Sequence, residues 1–148
     1  MILYQEFKNA VVASVVLLNL PLALIGGVFS IRFTDGTISI PAIIGFITLF
    51  GIATRNGILL VSRYRHMQNE GIALRNSILK GSSDRLNPIL MTAFASALAL
   101  LPMVLAGSKP GNEIQAPMAV VILGGLITST LLNLYVIPIV YYLIHRKK

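Results

Sequence analysis

The stretch Gly51-Ile-Ala-Thr-Arg-Asn-Gly57 interrupts an otherwise apolar run. From Ile38 to Ser62 every residue is apolar, small or hydroxylic except Arg55 and Asn56. A bilayer-spanning helix needs about 20 predominantly apolar residues, so this run is long enough to cross. Arg55 then sits near mid-membrane, where an arginine costs at least roughly 2.5 to 3.5 kcal/mol. Such a residue faces a bundle interior or a wet cavity and needs a partner. The rest of the chain can be searched for that partner.

Composition agrees with the membrane reading. The 148 residues are 55% hydrophobic and 11% charged, with a mean hydropathy of +0.81. Soluble domains carry about 25% charged residues, so this chain is too apolar to be one. With no cysteine, disulfides and thiolate metal sites are excluded. His66 and His145 are too far apart for a histidine metal cluster, and Met91, Met103 and Met118 read as packing residues. No cofactor is expected, and no nucleophile–base pair suggests an enzyme.

The formal net charge of +7 raises nucleic acid as a partner. The positions argue against it. Arg63, Arg65, Arg75, Lys80 and Arg85 fall in one segment between apolar runs, and Arg146, Lys147 and Lys148 close the chain. The segments around Asp35 and Glu113 carry little positive charge. This is the positive-inside distribution of a protein in a lipid bilayer. The first apolar run continues past signal-peptide length and lacks a small-residue cleavage site.

An all-α bundle of four spans follows. Residues 1–9 read as the end of a preceding helix and a cytoplasmic connection, compatible with a start at Met1 or with a longer chain. Span A covers 10–33, with Pro21 kinking it and Gly26-Gly27 open to a close neighbour. Span B covers 38–62, with Pro41 in its first turn and a small-xxx-small pair at Ala53 and Gly57. Residues 63–87 form a cytoplasmic segment broken at Glu70-Gly71. Within it, residues 72–80 read as an amphipathic surface helix that Gly81 ends, and Ser82-Ser83-Asp84 as the cap of the next helix. Span C covers 88–106. Span D covers 116–144, with Gly124-Gly125, Thr128 and Ser129 as close-packing positions, Asn133 inside it and Pro138 kinking its end. Residues 145–148 are a basic cytoplasmic tail.

No Asp or Glu lies inside any span: Glu6, Asp35, Glu70, Asp84 and Glu113 all sit in loops or at helix ends. Arginine itself cannot carry a transported proton, because its pKa exceeds about 12. Arg55 therefore pairs with a carboxylate outside this chain, or is held by hydroxyls and carbonyls within it. A third reading has it snorkel to the cytoplasmic surface. Arg63, the first cytoplasmic charge, is about 12 Å away at 1.5 Å per residue, beyond comfortable reach. Thr92 lies about 10 Å beyond Arg85 by the same measure, which sets Arg55, Asn56 and Thr92 at similar depth. For Thr92 a bond to its own backbone is an equally open reading.

Four stretches in order resemble the resistance-nodulation-division (RND) efflux permeases. They are Asn19-Leu-Pro-Leu-Ala-Leu-Ile-Gly-Gly27, Gly51-Ile-Ala-Thr-Arg-Asn-Gly-Ile-Leu-Leu-Val61, Arg85-Leu-Asn-Pro-Ile-Leu-Met-Thr92, and Gly124-Gly-Leu-Ile-Thr-Ser-Thr130 with Val136-Ile-Pro138. Leu3-Tyr-Gln-Glu-Phe7 is similar to the end of the family's transmembrane helix eight, and the spans to its helices nine to twelve. The resemblance implies the C-terminal fragment of a permease of the bacterial inner membrane, with its C-terminus cytoplasmic. It implies a homotrimer that exchanges protons for substrates, with a periplasmic adaptor and an outer-membrane channel as partners. The family's essential aspartates lie on helix four, in the rest of the permease chain. Arg55 stands where many members carry a lysine, and Thr92, Asn56 and Arg85 fall at or beside positions of the proton-relay network.

Arg55-Asn-Gly-Ile-Leu-Leu-Val-Ser-Arg-Tyr-Arg-His66 and Gly111-Asn-Glu-Ile-Gln-Ala-Pro117 look closest to the heavy-metal branch of cobalt-zinc-cadmium type. Copper/silver members have an acid at the Arg55 position and a lysine at Ile89, and Asn87 replaces a commonly basic residue. The implied function is proton-coupled export of cations or drugs by the whole permease, with this part inactive alone. The alternative is a self-contained four-helix protein, structural or a small transporter. A small transporter needs a buried acid of its own, and these spans contain none.

Overall fold

Each apolar run is long enough to satisfy its own backbone by coiling, which hydrocarbon demands of any spanning segment. The computed structural model describes residues 10–34, 36–107 and 109–146, and within them it contains four α-helices and no strand. They are α1 (Ala10–Phe33), α2 (Ile40–Asn69), α3 (Leu74–Ala106) and α4 (Gln115–Arg146). At 1.5 Å per residue they measure about 36 to 50 Å, and all four are apolar enough to cross a bilayer. The readings for residues 1–9 and for Lys147 and Lys148 lie outside the described residues.

Local chemistry sets several helix ends. Ser39 caps α2 by accepting from the Ala42 amide at 3.4 Å, with Pro41 in the first turn, where its missing N–H costs little. The chain reverses at Glu70-Gly71, where Gly71 has φ +84°. Past α3, Asn112 donates through Nδ2 to the Met103 and Gly107 carbonyls at 2.9 and 2.8 Å. Those carbonyls stand at the open end of the helix and need such a donor.

Two boundaries differ from the sequence reading. Helix α2 runs on past Ser62 to Asn69, carrying Arg63-Tyr-Arg-His66 with it. Gly81 does not end a helix, and Ser82-Ser83-Asp84 does not cap one: α3 is continuous from Leu74 to Ala106. The reason is packing. A Cβ on residue 81 would lie 2.7 Å from Cδ1 of Tyr64, so the glycine makes room for that ring. The Tyr64 hydroxyl then meets Ser82 Oγ at 2.5 Å.

Helix α4 is the hub and packs on the other three. In its most apolar window 44% of the residues are buried, against 6% for α3. The outer half of α3 is correspondingly bare, with Met91, Phe94, Leu98 and Leu105 all exposed. The tightest crossing is α1 on α4. A Cβ at Gly26 would overlap the Thr128 side chain and the Gly124 carbonyl, and one at Gly124 would overlap Ser30. Small residues matter here because lipid tails give helices no hydrophobic reason to associate, so close packing must do it. Leu49 of α2 fills the space over Gly125.

The basic end is tied by polar contacts. Arg63 Nη2 meets Asp84 Oδ2 at 2.8 Å, Tyr141 donates to Gln68 Oε1 at 3.2 Å, and the Tyr64 and Tyr141 rings lie 5.2 Å apart. Around them Val15, Val16, Leu60, Val61, Ile78 and Ile137 form an apolar cluster. Gly124→Leu is expected to destabilise the bundle by about 1 to 3 kcal/mol through overpacking. Thermal unfolding in detergent checks it, with Gly51→Leu, which meets nothing within 4 Å, as the neutral comparison.

Candidate functional site

The helical repeat divides α2 into two faces. Ala53, Asn56, Gly57, Leu60 and Val61 are buried, so Arg55 and Leu59, on the other side, are exposed. Arg55 lines a shallow groove of about 470 Å³ with Phe50, Gly51, Thr54, Ile58 and Leu59. All of these residues belong to α2; neither α3 nor α4 reaches over the guanidinium. Gly51 lies one turn before Arg55, and a Cβ there would touch nothing within 4 Å. At the other described glycines within helices a Cβ would meet a neighbour. This face of α2 is bare within the chain.

The remaining sequence candidates are placed differently. Asn56 turns inward and is 8% exposed. Thr92 is exposed on α3, and its hydroxyl donates to the Pro88 carbonyl at 2.9 Å, one turn back on its own helix. Arg85 is half-buried, next to the Asp84 that holds Arg63. Among the described residues no hydrogen bond joins any two of Arg55, Asn56, Thr92 and Arg85. The chain does not gather the four into one cluster; it sets Arg55 and Thr92 on outer faces.

A second polar site lies in the interior. Asn19 of α1 donates through Nδ2 to Asn133 Oδ1 of α4 at 2.6 Å, and it approaches the Ala53 carbonyl of α2 at 3.4 Å. Asn133 in turn donates to Ser129 Oγ at 3.4 Å. Both asparagines are at most 1% exposed, and Asn19 Oδ1 has no partner. Gly57 leaves the space: a Cβ there would lie 3.9 Å from Asn19 Nδ2 and 3.3 Å from Val16 Cγ1. The amides form a polar layer between Val15 and Val16 on one side and Ala23, Leu49 and Ala53 on the other. The sequence contains a signal for this pair, since each amide interrupts an apolar span as Arg55 does. It contains no signal that the two meet.

Among the described residues no group of three His, Cys, Asp or Glu could hold a metal ion. What the fold defines is a multi-pass membrane bundle with an asparagine pair in its interior and Arg55 turned outward from the middle of α2.

Comparison with known proteins assigns that bundle. The AcrB/AcrD/AcrF family model matches residues 1–145, and the chain belongs to this family of RND transporters. It is 40% identical over 146 residues to the nickel-cobalt-cadmium resistance protein NccA of Alcaligenes xylosoxydans xylosoxydans, covering 99% of this chain and 14% of NccA. It is 38% identical over 146 residues to the cobalt-zinc-cadmium resistance protein CzcA of Cupriavidus metallidurans, with the same coverage. A crystal structure of a heavy metal efflux pump superposes with a TM-score of 0.86 at 35% identity, over 97% of this chain and 14% of the pump. The chain thus spans about one-seventh of the length of the relatives it matches.

The interior pair can be tested on stability. Asn133→Leu strands the Asn19 amide and is expected to cost about 1 to 3 kcal/mol. Adding Asn19→Leu is expected to recover part of that loss, so a double-mutant cycle read by detergent unfolding gives a non-zero coupling. Additive losses would remove the pair's structural role.

Proposed function

We propose that these four helices are the C-terminal transmembrane part of a proton-coupled RND efflux permease, which exports cations or drugs across the cell envelope. The observation that carries the reading is Arg55: a permanent cation at the middle of an apolar helix, facing out of the bundle. Such a charge is tolerated at depth when paired, and the one acid within the four helices, Asp84 of α3, is held by Arg63 at 2.8 Å. The bare face at Gly51 supports the same conclusion, because glycine weakens a helix by about 1 kcal/mol unless close approach uses it. A neighbouring helix that brings a carboxylate to this face accounts for both residues.

In this mechanism the aspartates of the family's helix four, in the rest of the permease chain, face Arg55. Ionised, such a carboxylate holds the guanidinium in a charge-assisted hydrogen bond. Protonated, it releases Arg55, and the two halves of the membrane domain shift against each other. Arg55 does not carry the proton; it reports the state of the group that does. Thr92 is free to exchange its bond to Pro88 for one to the relay, Asn56 flanks Arg55 on the inner side, and Arg85 stands nearer the basic end. The spans correspond to helices nine to twelve.

The working unit is a homotrimer in the bacterial inner membrane, with the basic C-terminus cytoplasmic and a periplasmic adaptor and outer-membrane channel as partners. Metal cations are the favoured substrate, since NccA and CzcA are named for resistance to nickel, cobalt, zinc and cadmium. Arg55→Ala in the whole permease is expected to reduce cobalt and cadmium resistance to that of cells without the pump, with trimers still forming. Arg55→Lys, which keeps the charge, is expected to retain much of it. Full resistance in the alanine variant would sink the relay role.

A further inference from the structure

Arg32, Arg55 and Arg75 each line a groove of the bundle. Those at Arg32 and Arg55 are each lined by residues of a single helix, α1 and α2 respectively. The third is walled by two. It occupies about 390 Å³ between α3 and α4, with Ile78 and Leu79 facing Pro138 and Ile139, and with Arg75 and Tyr142 in its lining. The polar residues gather at one end. Arg75 is the second residue of α3, and Tyr142 lies one turn beyond Pro138 toward the end of α4. Arg146 follows one further turn along the Tyr142 face, since residues four apart are neighbours on a helix.

Two cations at this end stand apart from the ion pairs nearby. Asp84 holds Arg63 and Glu70 holds His66, at 2.8 and 3.2 Å. Among the described residues Arg75 and Arg146 enter no ion pair, and the first turn of α3 has no acid. A slot that is apolar below and cationic at its mouth matches one class of molecule, an acyl chain with a phosphate at its head. Basic pockets between transmembrane helices at the cytoplasmic face recognise anionic lipid headgroups in this way.

We propose that this groove seats an acyl chain of an anionic phospholipid, with Arg75 and Arg146 holding its phosphate and Tyr142 at headgroup level. The site is independent of Arg55 and of transport. It fixes a lipid against the helix pair whose deeper half, around Met91 and Phe94, has little protein cover.

The full chain in nanodiscs with spin-labelled phosphatidylglycerol or phosphatidylcholine tests this, read as the motionally restricted lipid fraction. Phosphatidylglycerol is expected to be preferred by about fivefold or more, the weight of one to two basic residues at a membrane surface. Arg75→Gln is expected to abolish most of the preference. Arg75→Lys is expected to keep it, and Lys109→Gln, an equal charge loss at the opposite loop, to leave it unchanged. Leu79→Trp, which fills the groove from an exposed position, is expected to lower the restricted fraction of both lipids. Equal retention of the two lipids by the unaltered chain overturns the proposal, as does a preference insensitive to Arg75→Gln. A protein helix in the groove would leave both lipids unaffected by Leu79→Trp, and that result overturns it too.

Discussion

The crossing of α1 over α4 at Gly26 and Gly124 is the contact on which the bundle depends. Lipid tails are as apolar as leucine, so two helices gain nothing by removing apolar surface from lipid. They gain by dispersion and by short-range polar contacts, and both require the backbones to come close. With a Cβ at either glycine the axes would have to separate. Other contacts follow from this approach. It lets Asn19 reach Asn133 at 2.6 Å, and it places α4 where Leu49 of α2 can settle over Gly125.

The asparagine layer gives that packing a register. An amide pair at depth has few alternatives, because sliding α1 along α4 would part Asn19 Nδ2 from Asn133 Oδ1 in hydrocarbon, leaving Asn133 only its bond to Ser129 on its own helix. Measured interhelical hydrogen bonds of this kind contribute about 0.6 kcal/mol on average. That is a small share of stability, but it distinguishes one alignment from its neighbours among apolar surfaces that otherwise look alike. The Tyr64–Tyr141 contact and the Tyr64–Ser82 bond fix the basic end in the same manner.

Much of this was legible in the chain, and the reasons are local. Four spans are visible because hydrocarbon imposes a length and an apolar composition on each. Gly26, Gly124 and Gly125 can be picked out as packing positions because small residues have little other use in such helices. Gly81 was misread for the complementary reason. A glycine after an amphipathic stretch looks like a terminator, and only the Tyr64 ring, distant in sequence, shows that it is a seat. The Asn19–Asn133 pair escaped because 114 residues separate its members. Arg55 stands out in the sequence as a charge in an apolar run, which points to a bundle interior or a wet cavity. Within this chain it is exposed on the outer face of α2 instead, because the inner face is taken by Ala53, Asn56, Gly57 and Leu60.

Its outward placement separates two kinds of bare surface on the same bundle. In a membrane protein exposed apolar side chains are uninformative, since lipid accepts them. Polar and small residues are informative, because lipid gives no reason to keep them. On α2 a mid-depth guanidinium and a glycine without a neighbour occur one turn apart, and neither suits hydrocarbon. That face calls for protein. On α3 and α4 the cations stand at the helix ends above an apolar slot, where headgroup phosphates are at hand. That face calls for lipid. In the proposed reading depth therefore decides the partner: a carboxylate from another helix for Arg55, and the bilayer surface for Arg75.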